Sequence, residues 1–222
     1  MEEKEGGNRF VGKSAAHGLF QFDERGVFRI GGLAAYMMPM PSLVIQNRLL
    51  STHLDDITVR DIHYYTGKIQ GIVSVKLLRD KFGVKSIKDV FYTTLDQLGM
   101  IGLGKNKVMR FSQKERSVIL KKDISPYEDI YRIAFGYQRN PIGHFHRGAI
   151  AGMLGELFGE EMVAVEKKCR AQGQESCIEE AFPLSQVGSR KLTHFEKLQL
   201  PSPESRYPEI NRLKSVSLYL KY

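Results

Sequence analysis

No run in this chain approaches the ~18 consecutive apolar residues that a membrane helix needs, so a membrane span is not expected. The opening residues, MEEKEGGNRF, have no apolar core of the kind a secretory signal requires, and none is expected there. Cysteine occurs only twice, at Cys169 and Cys177, too few for a disulfide framework. A reduced, cytoplasmic setting follows as the expectation. There is no dinucleotide fingerprint, and Gly102-Leu-Gly104 is not followed by a Lys-Ser/Thr pair, which leaves no nicotinamide or phosphate-loop site. The six histidines are dispersed and neither cysteine stands in a protease-like context, so no nucleophile–base pair is visible and enzymatic activity is not expected. Internal repeats and low-complexity tracts are also missing.

What is present is an ordinary globular composition, 42% hydrophobic and 26% charged over 222 residues, enough to bury a substantial core. The net charge is +8. A basic balance of this size invites a nucleic-acid reading. However, the cations are scattered along the chain, at Lys76 and Arg79, at Lys105, Lys107 and Arg110, and at Lys167, Lys168 and Arg170. Residues 184–222 concentrate the excess, with seven Lys or Arg against three acids. No recognition-helix or RNP-like motif accompanies them. The charge therefore reads as a solvated basic surface, and any nucleic-acid contact would fall to this basic C-terminal tail.

Three segments follow from composition: a loose polar arm over residues 1–18, a main domain over 19–183, and the tail over 184–222. Phe20 and Phe22 before Asp23–Gly26, with Val27, Phe28 and Ile30 after it, predict a β-hairpin in which Gly26 takes a positive φ. Leu43, Ile45, Leu49 and Leu50 share one helical face. A second helix follows, capped by Thr58 with Asp61 at its third position, and runs to Phe82-Gly83. Inside it Gly67 and Gly71 lie one turn apart, at a cost of about 1 kcal/mol each relative to alanine, and close approach of another helix is the favoured reason. Ser86 caps a third helix. Lys107–Ser112 and Ser117–Leu120 form a second hairpin, Ser125-Pro126 opens a short helix, and residues 144–162 form a helix with Gly148, Ala151, Gly152 and Gly155 on one face. Strands at Val163–Val165 and Ile178–Phe182 complete an α+β order, with hairpin strands pairing antiparallel in a sheet packed against helices. Beyond them, Pro201, Pro203 and Pro208 prevent a long helix, and Val216, Leu218 and Leu220 alternate as in a strand.

The stretch Glu166–Cys177, EKKCRAQGQESC, concentrates the chemistry. Carboxylate and thiolate are both zinc ligands, and structural zinc takes four. Glu166, Cys169 and Cys177 can supply three of them from a strand–turn–strand. On spacing alone, a metal site, a disulfide, and two unligated thiols near a turn all remain open.

The run GMLGELFGEEMVAVEKKCRAQGQESCIEEAF resembles the C-terminal core of the 4-vinyl reductase (4VR) domain family, through Gly148, Gly152, Gly159, Val163, Glu166, Cys169, Gly173 and Cys177. Upstream, PSLVIQNRLL and DIHYYTGKIQG resemble the family's helical region, and the likeness spans roughly residues 19–182. The resemblance implies the α+β fold of the NO-signalling and Golgi-transport ligand-binding group, shared with vesicle-tethering subunits and often dimeric. It also implies a small-molecule-binding module, related to the sensor domains of aromatic-responsive regulators. In those sensors the zinc ligands are the Glu-x-x-Cys…Cys set and a cysteine at the start of the small-residue helix. Here Gly143 stands nearest that cysteine position. His144, or failing it His146, is the expected fourth ligand, since imidazole substitutes readily for thiolate on zinc; a three-ligand site completed by water, or no metal, is the alternative.

The resulting expectation is a homodimeric domain that binds a small hydrophobic molecule as sensor or carrier, with structural Zn2+ on Glu166, Cys169, Cys177 and His144. Tyr64, Tyr65, Phe91, Met100, Phe145 and Met153 are the candidate pocket residues, their aromatic or soft side chains suiting an apolar guest. The alternatives are a regulatory or scaffold protein acting through dimerisation and the basic tail, and an accessory enzyme of tetrapyrrole metabolism.

Overall fold

A computed structural model of the chain describes residues 20–22, 28–30, 33–35 and 38–214. The polar arm, the Asp23–Gly26 turn and the terminal alternation of Val216, Leu218 and Leu220 lie outside the described residues.

Three short strands, β1 (Phe20–Phe22), β2 (Phe28–Ile30) and β3 (Leu33–Ala35), form an antiparallel sheet with Phe20 opposite Ile30 and Ile30 opposite Leu33. The expected hairpin thus has a third strand beside it. Three helices follow: α1 (Met40–His53), α2 (Asp56–Lys76) and α3 (Ile87–Leu98). Helix α2 starts two residues earlier than the sequence suggests. Asp55, not Thr58, is its cap: the Asp55 carboxylate accepts from the N–H groups of Ile57 and Thr58, and the Thr58 hydroxyl donates to it as well. An aspartate just ahead of the helix satisfies two orphan donors at once, which frees Asp61 for another role. Ser86 caps α3 through the Asp89 N–H, as expected.

The second hairpin is β4 (Lys107–Ser112) and β5 (Ser117–Lys122). After it come α4 (Pro126–Phe135), α5 (His144–Phe158), β6 (Met162–Lys168) and β7 (Cys177–Pro183). The four longer strands make one antiparallel sheet in the order β4-β5-β7-β6. Helix α5 stops at Phe158 rather than reaching residue 162, because Gly159 takes φ +69° and ends it in the left-handed conformation that glycine adopts without strain.

The core lies between α5 and the sheet, with α2 and α3 around it. Tyr64, Phe91, Ile150, Met153, Leu154 and Ala164 are among its fully buried members. Helices α2 and α5 make the closest contact in the molecule, backbone against backbone. A Cβ on Gly67 would lie 2.8 Å from the Phe145 carbonyl carbon, and one on Gly152 would lie 2.8 Å from that of Lys68. Both helices therefore need glycine at the crossing, which accounts for the interior glycines of α2.

Strand β6 is buried on both faces. Ala164 joins the main core, while Val163 and Val165 pack with Phe182, Val187, Leu192 and Leu200. The segment after β7 supplies that outer cover. It carries two short helices, α6 (His194–Lys197) and α7 (Ile210–Leu213), and runs back over the start of α2. There the Tyr65 hydroxyl donates to the Ser202 carbonyl, Arg60 Nη1 to the Leu198 carbonyl at 3.0 Å, and the Tyr207 hydroxyl to Asp61 at 2.9 Å. Residues 198–207 form a strap across α2. No helix among the described residues is long and apolar enough to cross a membrane.

Candidate metal centre

The sheet brings the pieces of the EKKCRAQGQESC stretch into one place. Glu166 sits near the end of β6 opposite Glu179 of β7, just before an irregularity in the pairing. Cys169 follows the strand, a short 3-10 turn spans Arg170–Gln172, and Gly173 closes it with φ +89°. Cys177 then opens β7. As a result, one ligand atom from each of Glu166, Cys169 and Cys177 lies within 4.8 Å of the others, all three residues being buried. The thiols are free, and the Arg170 N–H donates to Cys177 Sγ at 3.4 Å.

The electrostatics of this group are unbalanced. Both Glu166 oxygens are buried without a hydrogen-bond partner. Burial, and then the neighbouring Cys177, Glu128 and Glu179, push the Glu166 carboxyl well above the carboxylate range, against the pull of Lys122. The adjacent Cys169 thiol and then burial drive Cys177 far above a normal thiol. The Cys177 contact pulls Cys169 down, but burial and the Glu166 and Glu128 charges outweigh it, so Cys169 is raised too. A buried carboxylate with no donor is expensive. A divalent cation on the two sulfurs and the Glu166 oxygen would remove that cost, and this donor set is one that zinc accepts. The residues fit a metal.

The cations nearby are engaged elsewhere. Lys122, 2% exposed, sits 3.4 Å from Glu179 and 3.7 Å from Glu128. Burial opposes its charge, but Glu128 and Glu179 hold its ammonium above the normal range. His146 Nδ1 is 2.6 Å from Glu179 Oε2. His144 faces a different group: its Nδ1 contacts the Arg147 guanidinium, and burial followed by Arg147 keeps its pKa well below normal. The clustered ligand atoms among the described residues are those of Glu166, Cys169 and Cys177, without His144.

Arg147 is the largest wholly buried side chain. Its Nη1 donates to the carbonyls of Ala164 at 3.1 Å and Gln199 at 2.9 Å, tying α5 to β6 and to the strap. Gln199 in turn bonds both backbone groups of Glu166, accepting from its N–H at 2.7 Å and donating to its carbonyl at 2.9 Å. The strap therefore also fixes the strand that carries the metal-facing carboxylate.

The proposed pocket residues are spread through the core. Phe91 stacks on Phe111 at 4.3 Å between α3 and the sheet. Tyr64 and Tyr65 meet edge to face at 5.6 Å beneath the strap. Met153 is fully buried, and Met100 and Phe145 are half-buried. Elsewhere, an open depression of about 300 Å³ lies on α1, lined by Ile45, Gln46, Leu49, Leu50 and His53. Sequence reasoning did not single out Glu128, Lys122, Arg147 or Glu179. Of these, Arg147 alone left a signal, as a charge inside the otherwise apolar, small-residue α5.

Residues 124–180 match the family model of the 4-vinyl reductase (4VR) domain. The matched segment contains Glu166, Cys169 and Cys177, and the resemblance read from the sequence holds. The structure is similar to the phenol-responsive sensory domain of the transcription activator PoxR with phenol, at 16% identity and a TM-score of 0.74, covering 83% of this chain and 93% of that one. Two further solved structures are more distant. One is a trafficking protein particle complex subunit 3 from Naegleria fowleri covalently bound to palmitic acid, at 17% identity over 65% of this chain and 94% of that one, TM-score 0.47. The other is a vinyl-4-reductase family protein from Methanocaldococcus jannaschii, at 19% identity over 68% of this chain and 84% of that one, TM-score 0.41. No curated protein sequence matches the chain. The 4VR-type α+β fold, a four-stranded antiparallel sheet packed against helices, is the fold observed.

Proposed function

We propose that this 4VR-like domain is a non-catalytic receptor for a small, largely apolar molecule, held in shape by a structural zinc ion on Glu166, Cys169 and Cys177. The observation that carries the binding reading is the likeness, over 83% of the chain, to a sensory domain whose solved structure contains phenol. The zinc reading is carried by the unpartnered Glu166 carboxylate beside two free thiols. The guest site lies between α2, α5 and the strap. These elements contribute the Tyr64–Tyr65 ring pair together with His63 Nε2 and Arg147 Nε, both buried without hydrogen-bond partners. Apolar walls with one or two unsatisfied polar atoms suit an aromatic molecule bearing a single hydroxyl. Apolar residues exposed on α1 and the start of α2, such as Ile45, Leu49 and Ile57, support a homodimeric state.

Thermal unfolding with phenol and alkylphenols tests the binding reading, with native mass spectrometry of the purified protein alongside. Saturable stabilisation is expected, amounting to about 2.7 kcal/mol at a hundredfold excess over Kd. No shift with any member of the series, together with no co-purified small molecule, would count against it.

A further inference from the structure

We propose that Glu128 is a fourth ligand of the metal centre, occupying the space that a side chain at Gly143 would otherwise fill. This rests on the zinc reading above and adds a ligand from a separate element, the first turn of α4. The main observation is geometric. A Cβ built on Gly143 would lie 2.8 Å from Glu166 Oε2 and 2.9 Å from Glu128 Oε1. The two carboxylates thus converge on one point from different sides. Glu128 is 2% exposed, as buried as Glu166.

Partners already fix the Glu128 side chain in this pose. The Ser125 hydroxyl donates to Oε2, and Lys122 Nζ stands 3.7 Å from Oε1, beyond hydrogen-bond reach. Oε1 is the oxygen turned toward Gly143 and Glu166. Two carboxylates and two thiols then share one buried space, while Lys122 is divided between Glu128 and Glu179. Four anionic donors with one shared ammonium call for a cation. Two sulfurs and two oxygens give the four ligands of a closed structural zinc site.

Gly143 and Glu128 are therefore a matched pair. With φ −71°, the backbone at 143 does not demand glycine, so it is the neighbouring carboxylates that exclude a side chain there. His144, one residue on, is committed to Arg147 and the strap side of α5.

Zinc and cobalt(II) titrations of the full chain test this, using Glu128→Gln, His144→Ala and the double variant Glu128→Gln/Gly143→Cys, with folding checked by circular dichroism. Glu128→Gln should weaken metal binding by more than about 100-fold, beyond the about 10–100-fold that altering a mere neighbour of a ligand costs. It should also change the visible cobalt(II) spectrum. His144→Ala should leave both unchanged. The double variant should recover affinity to within about tenfold of the parent, because a thiol at 143 enters the vacated space, and its cobalt(II) spectrum should show stronger sulfur charge-transfer absorption. Parent-like affinity and spectrum in Glu128→Gln would overturn the Glu128 assignment alone, as would a double variant no better than the single. A parent protein that takes up neither metal would overturn the zinc reading itself and this inference with it.

Discussion

Gly148 faces the Tyr64 peptide so closely that a Cβ on it would lie 2.8 Å from the Tyr64 carbonyl carbon and overlap the oxygen. The same holds reciprocally along the crossing, where Gly71 meets Met153 N at 2.7 Å and Gly67 meets the Phe145 peptide. Each obstacle is backbone, which cannot rotate aside as a side chain would. Gly148→Ala is therefore expected to destabilise the fold by about 3 kcal/mol, at the upper end of overpacking costs. Gly155→Ala meets only the Glu160 carbonyl at 3.2 Å and Met162 Cγ at 4.0 Å, and should cost clearly less. Urea unfolding of the two variants compares them directly, and equal losses would contradict the close-contact account.

The second prediction concerns the cysteines. Deprotonating two buried thiols and Glu166 is favourable only if a cation takes their charge, so metal binding should be coupled to folding and to proton release. Cys177→Ser should lower bound zinc well below the parent stoichiometry. Removing the metal with a chelator should lower the parent's melting temperature while leaving that of the variant nearly unchanged. Elemental analysis and differential scanning calorimetry check both. Zinc retained at the parent level in Cys177→Ser would exclude the thiol as a ligand.

How far these features were legible in the sequence depends on what set them. The Gly67 and Gly71 pair was readable because a costly residue in a helix interior needs a partner, and α5 offers glycines at the same spacing. The order of strands and helices followed from periodicity. Glu166, Cys169 and Cys177 were legible because the turn that brings them together is short. Glu128 was not, since an acid in the first turn of a helix already has a local explanation in the helix dipole. Its position opposite Gly143 depends on how α4 meets β6, which no local pattern encodes. The cap of α2 was misplaced by one turn for a related reason: Asp61 looks like a capping-box acid, but its carboxylate accepts from Ser202 N, at 3.1 Å, on a strap 141 residues away.

Arg147 gives a third test. Its guanidinium serves two carbonyls on different elements, Ala164 and Gln199, and contacts His144 as well. A lysine ammonium cannot reproduce the planar fork. Arg147→Lys should leave a buried carbonyl unsatisfied and cost about 1–3 kcal/mol, with the strap the first part to loosen. Hydrogen exchange should then quicken in residues 198–207 while the centre of α5 stays protected. Uniform loss of protection would show instead that Arg147 supports the whole core.

The strap should also respond to acid, in a direction that its charges determine. Burial raises the Asp61 carboxyl, but hydrogen bonds from Ser202 and Arg60 outweigh it, leaving the pKa below the ordinary 3.8. For Glu204, burial is likewise outweighed by Lys214 and Lys68, and its pKa lies below the ordinary 4.5. Both groups bind fewer protons in the docked form than in the released one. Their contribution is therefore fully present above the released-state values and is lost as pH falls through the lower docked-state values. Strap docking should be constant from neutral pH down to about pH 5 and weaken below it. Asp61→Asn keeps the side-chain shape, yet it removes the charge that holds Arg60 and reverses the polarity offered to the Ser202 N–H. It should loosen the strap at neutral pH and flatten the acid response. Limited proteolysis across residues 198–207 at stepped pH reads both effects, and a variant that matches the parent at every pH would remove Asp61 from the latch.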